Sequence, residues 1–382
     1  MSSVKVESKV KIEPVTHPRD TVRYVKTWWR VFRDDPHWVP PLIFERKSFF
    51  DPAKNPYLAH ADVQCFLASR DGEDLGTIAA TVDHSYQEHE PGVGFFGFFE
   101  FVDDLEVARA LFDAACDWLR GRGMKKLIGP FNFNTNHEFG LLVDGFDSDP
   151  YVANPHNSAY FPPMYEKLGL RKAMDWYAYT IDDPESKESK RIQRVSDRFL
   201  SRHPEVRFRN FDMSHFDREI ELLHGMYDDA WEHNWAHVKV TREEFFHLAR
   251  GLKSFLDPGL CFIVEVEGEP AAFSVSLPNV NRVVKTMNGR LFPFGWLRFA
   301  LGRRNLDSLR IFMLGVKHEY QHLPLGAPLY LNTWNRAIAK GVRSAEASLI
   351  LESNHRMRSA LERMGFGISK TYRNFEFELT PS

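Results

Sequence analysis

The chain has 382 residues, of which 43% are hydrophobic and 26% charged, and 49 Lys and Arg against 52 Asp and Glu give a net charge of −3. The length favours two domains, because single hydrophobic cores stop growing at about 250–300 residues. The acidic balance argues against a nucleic-acid partner. Three cysteines without a CxxC pair fit neither a disulfide framework nor a zinc ribbon, and they favour a reducing cytoplasm.

Residues 1–20 are polar and are interpreted as a flexible leader. They contain no apolar stretch typical of a secretory signal. No segment of the chain approaches the ~18–20 consecutive apolar residues that would cross a membrane. We therefore expect a cytoplasmic protein, with contact to the inner face of the membrane left open.

Residues 21–182 alternate predicted helices and strands. Apolar spacing predicts a helix from residue 20 to 32, a hairpin with strands over 63–69 and 75–82, a strand over 94–102 and a helix over 104–122. A strand over 125–130, a helix over 160–168 and a strand over 176–181 follow. The polar, proline-containing stretch 182–190 is the predicted domain boundary.

Residues 191–382 repeat this order. The pattern predicts a helix over 216–234, hairpin strands over 261–266 and 271–276, a strand over 309–316 and a helix over 327–340. A strand over 344–351, a helix over 355–364 and a strand over 371–378 complete it. The sequence therefore predicts a duplicated α/β (α+β) unit with two mixed sheets flanked by helices.

A turn after strand 309–316 runs from Val316 to Leu329, and turns between a strand and a helix start are natural anion sites. It resembles the turn Gln/Arg-x-x-Gly-x-Gly/Ala of the GNAT acyltransferase superfamily, with Gln321 first, Gly326 last and Pro324 at the usual first glycine. The resemblance implies that this turn holds the pyrophosphate of acyl-CoA, a co-substrate rather than a permanent cofactor. The implied binding residues are Val316, Gln321, His322, Gly326, Ala327 and Asn354.

The segments after this turn also resemble the superfamily. Asn354 follows strand 344–351, as does the asparagine beside the pantetheine arm in that family, and Met364-Gly365-Phe366 matches the end of its next helix. The family's tyrosine acid lies four residues before the glycine, where this half has Leu361. The first half has Tyr165 at the corresponding position, and its strand exit Phe99–Asp104 is acidic and lacks a glycine turn. The resemblance thus implies a cofactor-binding second half and a first half without a pyrophosphate turn.

The first half carries a narrower resemblance. Its segments 33–41, 95–100, 129–134 and 136–146 are similar to those of a group of bacterial tandem GNAT proteins, the bacterial ceramide synthase group. That group N-acylates a sphingoid base from acyl-CoA. The resemblance implies the same reaction class here.

Amine acylation needs a base, an oxyanion donor and an acid for the leaving thiolate. The asparagine-rich loop after strand 125–130 supplies Glu138 or His137 as the predicted base, Tyr165 is the candidate acid, and the predicted substrate residues include Asn132, Asn134 and His156. The alternatives are a loop whose asparagines satisfy backbone turns, a packed Tyr165, an ordinary loop histidine at 156 and a solvated His322. No HxxxH or HExxH spacing points to a metal site.

Residues 288–304 combine arginines with exposed-looking aromatic residues. Between Arg282 and Arg310 there are seven basic residues and one acidic residue, and Trp296 and Phe299 are predicted to contact substrate or a membrane surface. The alternative is a packed lid or an inter-domain contact. The sequence as a whole predicts an acyl-CoA-dependent N-acyltransferase for a lipid amine. Acetyl transfer to a small amine or protein, and a non-catalytic acyl-CoA sensor, remain the rivals.

Overall fold

The protein is described by a computed structural model that covers residues 9–182, 187–232, 234–303 and 306–379. The strands in these residues are β1 (Lys11–Pro14), β2 (Ala61–Arg70), β3 (Glu73–Asp83), β4 (Val93–Phe101), β5 (Lys126–Gly129), β6 (Phe131–Asn132), β7 (Glu138–Phe139), β8 (Leu141–Asp144), β9 (Arg171–Ile181), β10 (Val206–Asn210), β11 (Cys261–Val266), β12 (Glu269–Pro278), β13 (Ser308–Val316), β14 (Ser344–Leu351) and β15 (Gly367–Glu378).

The helices flank these strands, and the six that were predicted from the sequence begin within a few residues of the expected positions. They are α1 (Pro18–Val31), α2 (Ile43–Phe49), α3 (His84–Gln87), α4 (Leu105–Arg120), α5 (Phe161–Lys167), α6 (Lys187–Arg202), α7 (Phe216–Trp231), α8 (Arg242–Leu252), α9 (Asn281–Met287), α10 (Gly295–Gly302), α11 (Gly326–Ala339) and α12 (His355–Arg363). Helix α4 is an example of agreement with the sequence pattern. Asp104 caps its N-terminus, and the face that carries its apolar residues is the buried one.

The final strands of the two halves are exchanged. Strand β15, the last of the chain, pairs with β5 of the first half, whereas β9 of the first half pairs with β14 of the second. The two exchanged strands also pair with each other in antiparallel orientation. The described residues therefore contain one 13-stranded sheet in the order β1-β2-β3-β4-β5-β15-β9-β14-β13-β12-β11-β10, with β8 attached to β15.

This topology refines the expectation of two mixed sheets. The α/β class and the duplicated order of elements are confirmed, but the two expected sheets are joined edge to edge into one. The chain division between residues 182 and 191 is consequently not a division of the sheet. Within the predicted boundary, residues 183–186 lie outside the described part, and the chain is already helical from Lys187.

The predicted leader needs a correction. Lys11–Pro14 forms β1, which pairs with β2 through Lys11↔Ser69 and Pro14↔Phe66, and helix α1 begins at Pro18. Residues 1–8 lie outside the described residues. Val10 and Ile12, which alternate along the extended chain, pack on the core of the first half, which explains why a polar-looking segment forms an edge strand.

Candidate active site

One large cavity of about 1070 Å³ lies between the two halves. We distinguish three parts of this cavity. The part bounded by β13, β14, α11 and α12 is called the wedge arm, and the part bounded by α1, α2 and β4 is called the aromatic arm. A third part, the α8–α9 arm, runs past Leu252, Phe255, Val280 and Val284. The loop end that carries His137 and Glu138 lines the same cavity. Residues of both halves therefore face one continuous space.

The wedge arm exists because two parallel strands separate. β13 and β14 pair from Ser308↔Ser344 to Ile311↔Ala347 and no further. Beyond that point residues 312–316 and 348–351 line the cavity. The separation leaves backbone groups free for a ligand, since a continued ladder would use them.

A buried arginine sits at the base of this wedge. The Arg310 guanidinium donates to the carbonyl oxygens of Val152, at 2.8 Å, and Ser348, at 3.2 Å. Burial lowers the pKa of Arg310, while the charge of its cross-strand neighbour Glu346 acts in the opposite direction. Arg310 thus takes up the Ser348 carbonyl that the separated strands leave without a ladder partner.

The wedge arm opens onto the N-terminus of α11. Helix α11 starts at Gly326 and has no side-chain cap, and a Cβ built on Gly326 would meet nothing within 4 Å. Arg356 donates to the Gln321 carbonyl at 3.0 Å and lines the same space. An uncapped helix start beside a guanidinium suits a phosphate group.

The predicted cofactor residues fall into two groups. Val316, Gln321, Gly326 and Asn354 line the cavity. Asn354 also caps α12, because its Oδ1 accepts from the Met357 backbone N–H at 3.1 Å. His322 is exposed with Nδ1 2.8 Å from the Glu319 carbonyl, and Ala327 is half-buried; neither lines the cavity.

The loop between β6 and β7 brings two of the predicted base candidates together. Glu138 forms an ion pair with Arg46 of α2, and Asn132 Nδ2 lies 3.4 Å from the second Glu138 oxygen. Both Glu138 and Asn132 line the cavity. The loop is held against the second half, since Asn136 Nδ2 donates to the Val238 carbonyl at 2.9 Å. Glu138 therefore faces the cavity in a fixed position.

His137 is oriented by a chain of hydrogen bonds. The buried Asn134 donates to Asp83 Oδ2 at 3.0 Å, so its Oδ1 faces His137 Nδ1, also at 3.0 Å. This network assigns the proton to Nδ1 and leaves Nε2 with a free lone pair. Burial lowers the pKa of His137 to about 4, so the ring is neutral at pH 7.

His156 also lines the cavity, but it is tied to the protein. Its Nε2 lies 3.1 Å from both Asp35 carboxylate oxygens, and only 3% of its side chain is exposed. Although burial acts to raise it, hydrogen bonds from His156 and Ser158 hold the pKa of Asp35 well below its usual range. Asn134 is buried behind His137 and does not line the cavity.

Three sequence-predicted residues lie elsewhere. Tyr165 is fully buried among Phe96, Phe99 and Phe375, and its hydroxyl has no hydrogen-bond partner among the described residues. The structure therefore does not bring the candidate acid to the cavity, because the aromatic core of the first half surrounds it. Trp296 and Phe299 on α10 do not line the cavity either.

Several cavity residues escaped the sequence reasoning. Arg46, Glu100, Trp235 and Arg310 all line the space and come from four different parts of the chain. The only available signal was the charge of Glu100 and Arg310 within apolar strands, since a buried charge needs a reason. Trp235 and Trp176, with ring centroids 6.1 Å apart, form an aromatic wall that only the docking of the two halves creates.

Two further features of the described residues concern metal binding and membrane insertion. Among the described residues, no group of three or more His, Cys, Asp or Glu side chains is arranged to hold a metal ion. In the same part of the chain, no helix is long and apolar enough to cross a membrane.

The chain has close relatives. It is 37% identical over 377 residues to a protein of Caulobacter vibrioides (strain NA1000 / CB15N) named bacterial ceramide synthase, an alignment that covers 96% of this chain and 97% of that protein. It is 34% identical over 356 residues to protein YghO of Escherichia coli (strain K12), with 91% and 90% covered. No family model matches the chain.

Among solved structures, a tandem GNAT protein from the clavulanic acid biosynthesis pathway matches with a TM-score of 0.59 at 11% identity, covering 98% of this chain and 100% of that one. At that identity the likeness concerns the fold alone. Fold and relatives together define the class: the protein is an N-acyltransferase with a tandem GNAT fold. The chain belongs to the family of the Caulobacter bacterial ceramide synthase. The predicted superfamily and enzyme class are confirmed.

Proposed function

We propose that the protein transfers an acyl chain from acyl-CoA to the nitrogen of a long-chain amino-alcohol lipid such as a sphingoid base. One observation carries the proposal. A single cavity joins the uncapped start of α11, where a diphosphate fits, to the loop that carries His137 and Glu138. The name of the 37% identical relative supports the sphingoid acceptor.

The wedge arm is the proposed site of the thioester. Gly326 and Arg356 face the diphosphate, and the pantetheine arm lies along the separated ends of β13 and β14 beside Asn354. The apolar side chains of the α8–α9 arm continue from this wedge, which suits the acyl chain. Cavities of about 300–1,000 Å³ hold typical small ligands, so this one has room for more than an acetyl group.

The chemistry is direct aminolysis. The amine nitrogen attacks the thioester carbonyl carbon, the C–S bond breaks, CoA thiolate leaves, and the nitrogen loses a proton. Glu138 is the proposed proton acceptor because its carboxylate faces the cavity. His137 Nε2 then positions the amine by accepting an N–H hydrogen bond.

Neither of the two positions at which the family places its tyrosine acid supplies a proton to the leaving thiolate. Leu361 is apolar and buried, and the Tyr165 hydroxyl is enclosed in the core of the first half. Solvent entering along the CoA side of the wedge is the proposed proton source for the thiolate.

The proposal includes contact with an anionic membrane surface through residues 288–304. On α10 and the turn before it, Phe292 is 73%, Phe294 68% and Trp296 51% exposed, and Arg290 and Arg298 are exposed beside them. Apolar side chains interleaved with arginines suit an anionic interface. Phe299 differs, because it packs on Phe255 with ring centroids 5.4 Å apart.

A release assay tests the function. Purified protein is incubated with palmitoyl-CoA or acetyl-CoA and with sphinganine, small amines or no amine, and free thiol is followed. We expect release with palmitoyl-CoA and sphinganine that falls at least about 100-fold in Glu138→Gln, with Glu106→Gln on α4 as a matched control. Best turnover with acetyl-CoA and small amines, or CoA binding without turnover, would overturn the lipid acceptor.

Membrane contact is measured separately. Phe294→Glu with Trp296→Glu is expected to abolish co-sedimentation with vesicles of phosphatidylglycerol and phosphatidylcholine, without a change in thermal stability, since both side chains are exposed. Sedimentation equal to that of the unaltered protein would contradict the contact.

A further inference from the structure

Glu100 is a buried carboxyl group that the proposed mechanism leaves without use. It lies on β4 and lines the aromatic arm together with Trp28, Phe32 and Phe98. Its Oε2 is buried and has no hydrogen-bond partner among the described residues. A buried, unsatisfied carboxyl oxygen is costly, so its presence in a cavity calls for a ligand.

The charges around Glu100 favour a cationic ligand. Within the described residues no Lys, Arg or His forms an ion pair with Glu100, and the guanidinium of this arm, Arg46, is engaged by Glu138 and Glu45. Two carboxyl groups thus share this guanidinium, which in the described part of the chain forms no ion pair with Glu100. Burial, and then the charge of Glu138, raise the pKa of Glu100 to about 8.

We infer that Glu100 binds the ammonium group of the acceptor, so that the aromatic arm is the amine subsite. The inference rests on the proposed function and deepens it. Glu100 and Glu138 line the same cavity, and the charge of Glu138 acts on the pKa of Glu100, so an ammonium held by Glu100 faces the space that holds the proposed proton acceptor. Glu100 is a binding residue in this scheme. The bound ammonium gives one proton to Glu138 before the free amine attacks, and the second nitrogen proton passes to water as the C–S bond breaks.

The shape of the arm sets the orientation of a lipid amine. Trp28 and Phe32 at its inner end are 5% and 3% exposed, whereas Phe44 at its outer end is 54% exposed. The outer end adjoins the exposed apolar turn, because the Ile43 backbone N–H donates to the Gly289 carbonyl at 3.1 Å. A lipid amine therefore enters head first and keeps its tail toward the surface that carries residues 288–303.

A substitution at Glu100 separates charge from shape. Glu100→Gln is expected to raise the KM for the amine about 10- to 100-fold, as for loss of a hydrogen bond to a charged group, while the KM for acyl-CoA changes less than twofold. Glu100→Asp keeps the carboxyl group, so its KM for the amine is expected to lie between those of the unaltered protein and Glu100→Gln. Glu106→Gln, outside the cavity, is the control for a change of one charge. An unchanged amine KM in Glu100→Gln would overturn the inference.

A binding experiment keeps this test apart from that of the proposed function. The probe is 2-amino-1-octanol, compared with 1-octanol, titrated calorimetrically into the unaltered full chain and Glu100→Gln in two buffers of different ionisation enthalpy. We expect preference for the amine, with proton release at pH 7, in the unaltered protein only. Equal binding of both probes would overturn the ammonium site even if acyl transfer is observed. Absence of acyl transfer with the amine preference intact would overturn only the proposed function.

Discussion

The two halves treat the same architectural position in opposite ways. In each half a strand separates from its parallel neighbour and leads to a helix start: β4 from β5 before α4, and β13 from β14 before α11. In the second half, the gap between the separated strands β13 and β14 is part of the cavity, and the N-terminus of α11 has no side-chain cap. In the first half, strand β6 fills the gap between β4 and β5, and the side chain of Asp104 caps the start of α4.

The filling of the first half is specific. Strand β6 lies in the gap, so that a Cβ on Gly97 would fall 1.8 Å from the Phe131 carbonyl oxygen, and the Phe98 N–H donates to Asn132 Oδ1 at 2.7 Å. Asp104 caps α4 by accepting from the N–H groups of Glu106 and Val107. A carboxylate already occupies the place where an anion would bind, which fits the acidic strand exit noted in the sequence. Duplication thus produced one open and one closed version of the same site.

The largest effect is expected from a substitution that disturbs the filled gap between β4 and β5 in the first half. Gly97→Ala places a methyl group against backbone, which cannot move aside as a side chain can. We expect loss of more than about 4 kcal/mol of unfolding free energy, or failure to fold, measured by denaturant titration. Gly225→Ala on α7, where nothing lies within 4 Å, is the control. A Gly97→Ala protein of normal stability would show that the gap is not filled as described.

The next largest effect is expected from a substitution that blocks the open helix start of the second half and leaves the fold intact. Gly326→Glu puts a negative side chain into open space at the start of α11, so folding is unaffected while a diphosphate is repelled. We expect kcat/KM for acyl-CoA to fall at least about 100-fold, or ~2.7 kcal/mol. Gly225→Glu carries the same change on another helix and is expected to retain activity. Retained activity in Gly326→Glu would remove the diphosphate from this helix start.

A smaller effect concerns the acidic end of β4. The pKa of Glu100 is raised by burial from 4.5 to about 8, so the folded protein holds a proton that the unfolded chain releases, and stability falls as pH rises through this range. Glu100→Gln does not titrate and is expected to melt about 2–4 °C above the unaltered protein at pH 9 but not at pH 5. A difference in melting temperature that is the same at both pH values would contradict this linkage.

The smallest effect tests the cap that closes the first half. Asp104→Ala removes two hydrogen bonds at the start of α4 and the ion pair with Arg70. We expect a loss of about 1 kcal/mol and a melting temperature about 2 °C lower, with acyl transfer unchanged. A large loss of activity in Asp104→Ala would mean that the start of α4 also binds a reacting group.

Short-range patterns in the sequence predicted about half of the helices, the longer strands and the family. Helix α4 and the β2–β3 hairpin follow from periodicity and turn residues, and Gln321, Gly326 and Asn354 carry the resemblance, because these are short-range patterns. Only the tertiary structure decided the exchange of β9 and β15, the burial of Tyr165 and the meeting of Glu100, Arg46 and Glu138 in one cavity. Strand partners and cavity walls depend on contacts between residues far apart in the chain, and local spacing carries no information about those contacts.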